Sequence, residues 1–313
     1  MSPDRVETEV DGRRLTLSNL EKVLYPATGF TKGEIIRYYA EIADVMLPHI
    51  QQRPMTLKRF PSGVDAKFFY EKHAPAHRPD WVRTAPIPHS HSGRSRNEAE
   101  EEINYVLVND RPTLVWAANL ATIEFHVPLW HLGRGVTTPK NSDHMVFDLD
   151  PGPDTTIVEC CKVARFITER VGEESAFAKT SGSKGLQVYL RLNRVTVEKA
   201  NEKAHELAKA IEVDHPDLVV SNMRKELRKG KVLIDWSQNS PAKTTVAVYS
   251  LRARPEPTVS TPVTWSEVDA CANSGDPNEL SFKAADVLRR VQQLGDLMAA
   301  LGTRPVPSSR VPS

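Results

Sequence analysis

Residues 145–192 read MVFDLDPGPDTTIVECCKVARFITERVGEESAFAKTSGSKGLQVYLRL, and this stretch sets the fold. Met145 to Asp150 is apolar apart from two aspartates, which suits a strand buried on at least one face. Thr156 opens a helical pattern that runs to about residue 171 and ends at Gly172. A second strand over 176–180, a turn of small residues over 181–185 and a third strand over 186–192 follow. Continuing outward, 196–213 has helical periodicity and 231–236, KVLIDW, reads as a fourth strand. The order β-α-β-β-α-β predicts an α+β, ferredoxin-like (RRM-like) core: an antiparallel sheet with two helices on one face and its first and last strands side by side.

On the amino-terminal side, Ser18-Asn-Leu-Glu21 and Thr31-Lys-Gly-Glu34 both fit a capping box and predict two helix starts. The second leads into an amphipathic helix up to Pro48, with Ile35, Ile36, Tyr39, Ile42, Ala43, Met46 and Leu47 at three-to-four spacing. Residues 54–70 read as strand-rich, 73–104 as loop, 103–108 as ordered again and 113–125 as helical or mixed. The Pro- and Ser-containing end, 301–313, reads as a disordered tail.

The 313 residues are 40% apolar, enough for a sizeable core, and 41 Lys plus Arg balance 40 Asp plus Glu, so any nucleic-acid surface must be local. No apolar run is long enough for a membrane helix and the first residues lack a secretory pattern, which points to a cytoplasmic protein. Cys160, Cys161 and Cys271 fit buried thiols better than a disulfide framework or a metal site.

The chemistry concentrates in a few places. Asp148 and Asp150, two apart on one strand, project from one face about 7 Å apart. Asp235 ends the strand expected beside theirs, so three carboxylates converge where hard cations such as Mg²⁺ or Mn²⁺ suit oxygen donors. The turn Thr180-Ser-Gly-Ser-Lys-Gly185 offers backbone N–H groups, hydroxyls and Lys184 to an anion, without the spacing of a P-loop. Residues 221–231 hold Arg224, Lys225, Arg228, Lys229 and Lys231 against Glu226 alone, and Arg252 and Arg254 follow. Lys22 and Lys32, each expected in a first helical turn, are misplaced against the helix dipole unless an anion sits between them. Lys67-Phe-Phe-Tyr-Glu-Lys72 places three rings among cations, where one can stack on a base.

With those residues assembled, the chain resembles the archaeo-eukaryotic primase superfamily, specifically the polymerase domain of bacterial ligase D and its stand-alone primase-polymerase relatives. The resemblance rests on Leu17–Pro26, Thr31–Glu34, Ile123–Trp130, Val146–Gly152, Thr180–Leu186, Asp235–Asn239 and Tyr249–Arg252, in that order. It implies a primase-polymerase domain over 1–300, with an amino-terminal α/β module (17–135), a catalytic core (140–255) and a carboxy-terminal extension (256–300). It implies a template-directed nucleotidyltransferase that fills short gaps at DNA breaks in excision repair or end joining, one or a few nucleotides at a time, ribonucleotides preferred. Asp148, Asp150 and Asp235 would hold two Mn²⁺ or Mg²⁺ ions, and His126, Ser181, Lys184, Arg228 and Arg252 the incoming triphosphate. Asn19, Lys22 and Lys32 match a pocket for the downstream 5′-phosphate, and Phe69 and Tyr70 match rings on the template strand. Gln187 stands where relatives carry His, and 88–105 is more charged than in ligase D, which weighs for gap filling over end-bridging.

The expected partners are gapped or broken DNA with a 5′-phosphate, nucleoside triphosphates and a separate ATP-dependent DNA ligase, since no Lys-x-Asp-Gly signature occurs here, with Ku as a further candidate. A monomer associated with the nucleoid is expected. The rival readings are a non-catalytic DNA-end or gap-binding scaffold and, more remotely, an Asp-x-Asp glycosyltransferase.

Overall fold

A computed structural model describes residues 5–89, 101–132 and 141–302. The amino-terminal part opens with a hairpin, β1 (Arg5–Val10) and β2 (Arg13–Ser18), then the short pair β3 (Val23–Tyr25) and β4 (Phe30–Thr31). Helix α1 (Lys32–Ile50) starts on the capping box Thr31/Glu34 as expected and continues through Pro48 for two residues. After it come β5 (Pro54–Arg59), β6 (Phe69–Glu71), β7 (Thr84–His89), β8 (Glu101–Leu107), α2 (Arg111–Asn119) and β9 (Thr122–Val127). These strands form a sheet ordered β9-β5-β8-β7, with β6 also paired to β5.

Three expectations are corrected here. Ser18 caps no helix: it ends β2, its N–H is bound by Asn119 Oδ1 at 3.1 Å, and Asn19 turns the chain with φ +54°. Lys22 therefore lies in a turn, although Lys32 is the first residue of α1. The segment 73–104 is not all loop, because β7 and the first part of β8 pair within it. The stretch 113–125, read as helical or mixed, agrees with the structure and divides into α2, capped by Asp110, and β9.

The second half follows the expected order: β10 (Asn141–Pro151), α3 (Ile157–Val171), β11 (Ala176–Thr180), β12 (Leu186–Thr196), α4 (Val197–Asp214), a short β13 (Val219–Val220) and β14 (Val232–Asp235). Thr156 and Glu159 form the capping box of α3, and Gly172 ends it. β15 (Thr245–Val246) joins the first sheet beside β9, and β16 (Pro262–Val263) joins the second beside β11. Helices α5 (Trp265–Ser274), α6 (Ala284–Leu294) and α7 (Ala299–Gly302) complete the described chain. The second sheet runs β13-β14-β10-β12-β11-β16, antiparallel except for β13 with β14. The tail expected over 301–313 lies outside the described residues from 303 onward. Cys160, Cys161 and Cys271 are buried free thiols, as read from the sequence.

Alternation along β10 positions everything that follows. Met145, Phe147 and Leu149 enter the core under α3 and α4. Val146 packs in the other large core, with Ile123, Phe125 and Tyr189. Asp148 and Asp150 share the face of Val146, so they lie where that face meets the first sheet. No helix among the described residues is long and apolar enough to cross a membrane.

Candidate active site and nucleic-acid interface

Strand pairing carries the first part of the site. Asp148 lies opposite Asp235 on β14 and opposite Gln187 on β12. The register holds because the side chain of Asn239, just beyond β14, continues the ladder: its Nδ2 donates to Val146 O at 2.7 Å and its Oδ1 accepts from Val146 N at 2.9 Å. Burial, reinforced by Asp150, pushes the Asp148 carboxyl up to about 7. Desolvation and Asp235 push Asp150 up as well, against the pull of Arg228 and Arg252. Asp235 is nearly enclosed and accepts from Ser237 N and Gln238 Nε2, both at 3.0 Å, with Lys243 Nζ 3.8 Å away.

Among the described residues, no group of three or more His, Cys, Asp or Glu side chains is drawn together at the spacing of a finished metal centre. Burial is the larger cause of the raised Asp148 and Asp150, and repulsion between neighbouring carboxylates adds to it. A divalent cation would relieve that repulsion. The donor set is all hard oxygen, each with lone pairs to spare, and fits Mg²⁺ or Mn²⁺.

Asp148, Asp150, His126, Ser181, Lys184, Arg228 and Arg252 line one cleft of about 460 Å³. Two glycines make this possible. A Cβ on Gly185 would sit 2.1 Å from Leu149 O, so only glycine lets the turn Ser181–Gly185 lie against the strand of the carboxylates. A Cβ on Gly152 would sit 1.8 Å from Arg228 O, and there the loop after Asp150 meets the basic segment, with Gly152 N donating to Lys231 O at 2.9 Å. The turn closes on itself: Ser181 Oγ accepts from Ser183 N at 3.2 Å and Gly185 N at 3.1 Å, donors that an anion would take over. Arg252 donates to Ser181 O, and Lys184 is exposed above the turn.

Behind this wall stands a residue the sequence reading passed over. Glu124, 2% exposed, faces His126 Nε2 at 2.9 Å, Lys58 Nζ at 3.1 Å and Arg252 Nε at 3.4 Å, and accepts from Ala253 N at 3.1 Å. Burial opposes its ionisation, but the His126 hydrogen bond and the charges of Arg252 and Lys58 outweigh it and hold the carboxyl well below its usual range. Its signal was present in the sequence as the one acid within the apolar Thr122–Val127 strand. Lys179 is a second omission: fully buried, it donates to Ser260 Oγ at 2.6 Å, and burial pushes it down to about 7.

Asn19, Lys22 and Lys32 do come together, by a route other than two helix starts. The carbonyls of Lys22 and Leu20 accept from the first N–H groups of α1, at Lys32 and Gly33, both at 2.8 Å. Lys22 N donates to Asn19 O at 3.1 Å, and Lys32 Nζ donates to Ser18 O at 2.6 Å. Burial first, then the charges of Lys22 and Arg59, push Lys32 down to about 8. Phe69 and Tyr70 are 43% and 56% exposed on β6, joined by Phe68 at 42%. The Arg59 guanidinium lies 5.1 Å from the Phe69 ring, and Tyr70 meets the His126 ring edge-on at 6.2 Å, linking the aromatic platform to the cleft.

A split β-α-β-β-α-β sheet with aspartates on adjacent strands, beside a small-residue turn and an arginine, defines a nucleotidyltransferase of the primase-polymerase class. The chain belongs to the family described as "LigD, primase-polymerase domain", whose model matches residues 31–298. It is 42% identical over 296 residues to the multifunctional non-homologous end joining DNA repair protein LigD of Mycobacterium tuberculosis (H37Rv), covering 92% of this chain and 37% of that protein. The LigD of Mycolicibacterium smegmatis is 41% identical over 291 residues, with 92% and 36% covered. The chain thus spans little more than a third of these curated relatives. Among solved structures, the polymerase domain of Mycobacterium tuberculosis ligase D in complex with DNA matches with a TM-score of 0.84 at 41% identity, over 92% of this chain and 98% of that one.

Proposed function

We infer that the chain is a template-directed polymerase of DNA repair that adds one or a few nucleotides, ribonucleotides preferred, to a 3′ end facing a short gap or break. The observation that carries this reading is the register of Asp148 against Asp235, with Asp148 and Asp150 lining a cleft shared with Ser181, Lys184, Arg228 and Arg252. Asp148, Asp150 and Asp235 would hold Mn²⁺ or Mg²⁺, which when bound activates a primer hydroxyl and neutralises charge on the leaving pyrophosphate. His126, Ser181, Lys184, Arg228 and Arg252 bind and orient the triphosphate, an electrostatic and positional task that needs no protein nucleophile. Asn19, Lys22 and Lys32 hold the 5′-phosphate across the gap and set register without reading sequence. Phe69 and Tyr70 stack on the template strand.

In this reading residues 17–135 carry the 5′-phosphate pocket, 140–255 the reaction and 256–300 a supporting extension. The product nick is sealed by an ATP-dependent ligase, and Ku at broken ends is a further partner. The protein acts as a monomer on chromosomal DNA.

The test is extension of a 5′-phosphorylated gapped duplex by single nucleotides with Mn²⁺ supplied. Extension that disappears in Asp150→Ala is the expected result. Tight gap binding without extension by the unaltered protein would favour the non-catalytic scaffold.

A further inference from the structure

Beside the cleft lies a second cavity, of about 290 Å³, walled by Tyr105, Trp130, Pro54, Pro128 and Pro241, with Thr56 at its base and Lys72 at its rim. It shares Thr244 with the cleft, and Thr56 is paired across the sheet with His126, so the two spaces adjoin. One wall is the loop that leaves β14. That loop returns Gln238 and Lys243 to Asp235 and accepts a hydrogen bond from Trp130 Nε1 at Pro241 O, 3.0 Å. The cavity therefore flanks the carboxylates on the β14 side of β10, whereas the turn Ser181–Gly185 flanks them on the β12 side.

We propose that this cavity receives the base of the primer's 3′-terminal nucleotide when that base is unpaired. The inference rests on the reading of the cleft as a polymerase site. Three features carry it. Ring and proline walls offer a dry face to a flat aromatic ligand, and the volume of about 290 Å³, just under the ligand-pocket range of about 300–1,000 Å³, has room for a single base. The Thr56 hydroxyl is buried without a hydrogen-bond partner among the described residues, a polar handle that a base edge would satisfy. Lys72 is exposed at the cavity's rim, placed for the phosphate of the strand that delivers the base. The position follows from the chemistry: with the triphosphate on the β12 side, the primer end must approach from the β14 side, and this cavity is what it meets. A frayed or mismatched terminus would be held beside the carboxylates rather than lost to solvent.

The experiment uses the full chain and gapped DNA with 2-aminopurine as an unpaired primer 3′ base, compared with the same probe at the first template position. Binding is read by fluorescence without metal or nucleotide. The unaltered protein should quench the primer probe. Ala242→Phe, which fills the cavity from an exposed rim position, and Tyr105→Leu, which removes one ring wall, should each relieve that quenching. In extension assays each variant should lower the ratio of unpaired-end to paired-end extension about tenfold, the scale of one lost base–aromatic stack. Quenching that survives both substitutions, a probe that responds only at the template position, or an unchanged ratio would overturn the assignment. Failure of the polymerase reading looks different, since paired ends would then not be extended by the unaltered protein at all.

Discussion

Replacing Glu124 by glutamine keeps the shape of the side chain and removes one charge, leaving Lys58, His126 and Arg252 around a neutral amide. Removing one partner of a buried ion pair costs about 3–5 kcal/mol, because the remaining charge stays desolvated. Here the lower end applies, since the side chains of Lys58 and Arg252 retain 14% and 18% exposure and water can reach them. A loss of about 3 kcal/mol corresponds to a fall in Tm of roughly 4–5 °C for a chain of 313 residues, whose unfolding entropy is about 0.66 kcal/mol/K. The carboxyl is held below its ordinary value in the fold, so its contribution is complete above the usual glutamate range and is lost as pH falls through the depressed value. The gap in Tm between the two proteins should therefore be full at neutral pH and narrow below about pH 4. Arg252 loses its anchor in the same change, so the nucleotide KM should rise about tenfold, the weight of one charge-assisted contact. Differential scanning calorimetry and single-nucleotide extension kinetics read both quantities. A variant that melts with the parent and binds nucleotide equally well would refute the view that Glu124 organises this wall.

Asp148 carries a proton below about pH 7 in the metal-free protein, and a divalent ion must displace it, so the Kd for Mn²⁺ should rise about tenfold per pH unit below that value. Titration followed by electron paramagnetic resonance measures this, and a flat affinity between about pH 5.5 and 7.5 counts against it. Lys32 is charged only below about pH 8, so the preference for a 5′-phosphate over a 5′-hydroxyl gap should be strong at neutral pH and fade above pH 8; anisotropy at constant ionic strength follows it, and an undiminished preference at high pH would remove Lys32 from the pocket. Gly185→Ala drives a methyl group into Leu149 O and should cost about 1–3 kcal/mol of stability while abolishing nucleotide binding; retained nucleotide affinity would dissociate the turn from the site.

The β-α-β-β-α-β core was legible because each of its signals is local. Thr156 and Gly172 delimit α3, the strands are apolar runs, and once the order is known the topology sets β14 beside β10 and Asp235 beside Asp148. Where the decisive partner is remote, the same local signals mislead. Ser18 to Glu21 has the residues of a capping box, yet Asn119 binds the Ser18 amide across 101 residues and the turn caps α1 instead of starting a helix. Pro86 and Pro88 disguise β7 as loop, although β7 is the edge strand of its sheet and an edge tolerates proline. Pro48 removes one N–H bond from α1, yet only two residues follow it and Gln51 N still donates to Leu47 O, so the helix continues past it. Glu124 shows why a site is harder to read than a fold. Alternation along β9 puts Glu124 and His126 on one face, but a lone acid in an apolar strand does not say whether lysine, arginine or nothing awaits it, and Lys58 lies 66 residues away. What joins the separately readable pieces is the absence of two side chains. Gly185 and Gly152 let the anion turn and the cationic segment close on β10 from either side, a steric condition invisible until the strands are in register. The carboxylates belong to the sheet, whereas their phosphate partners depend on those two contacts.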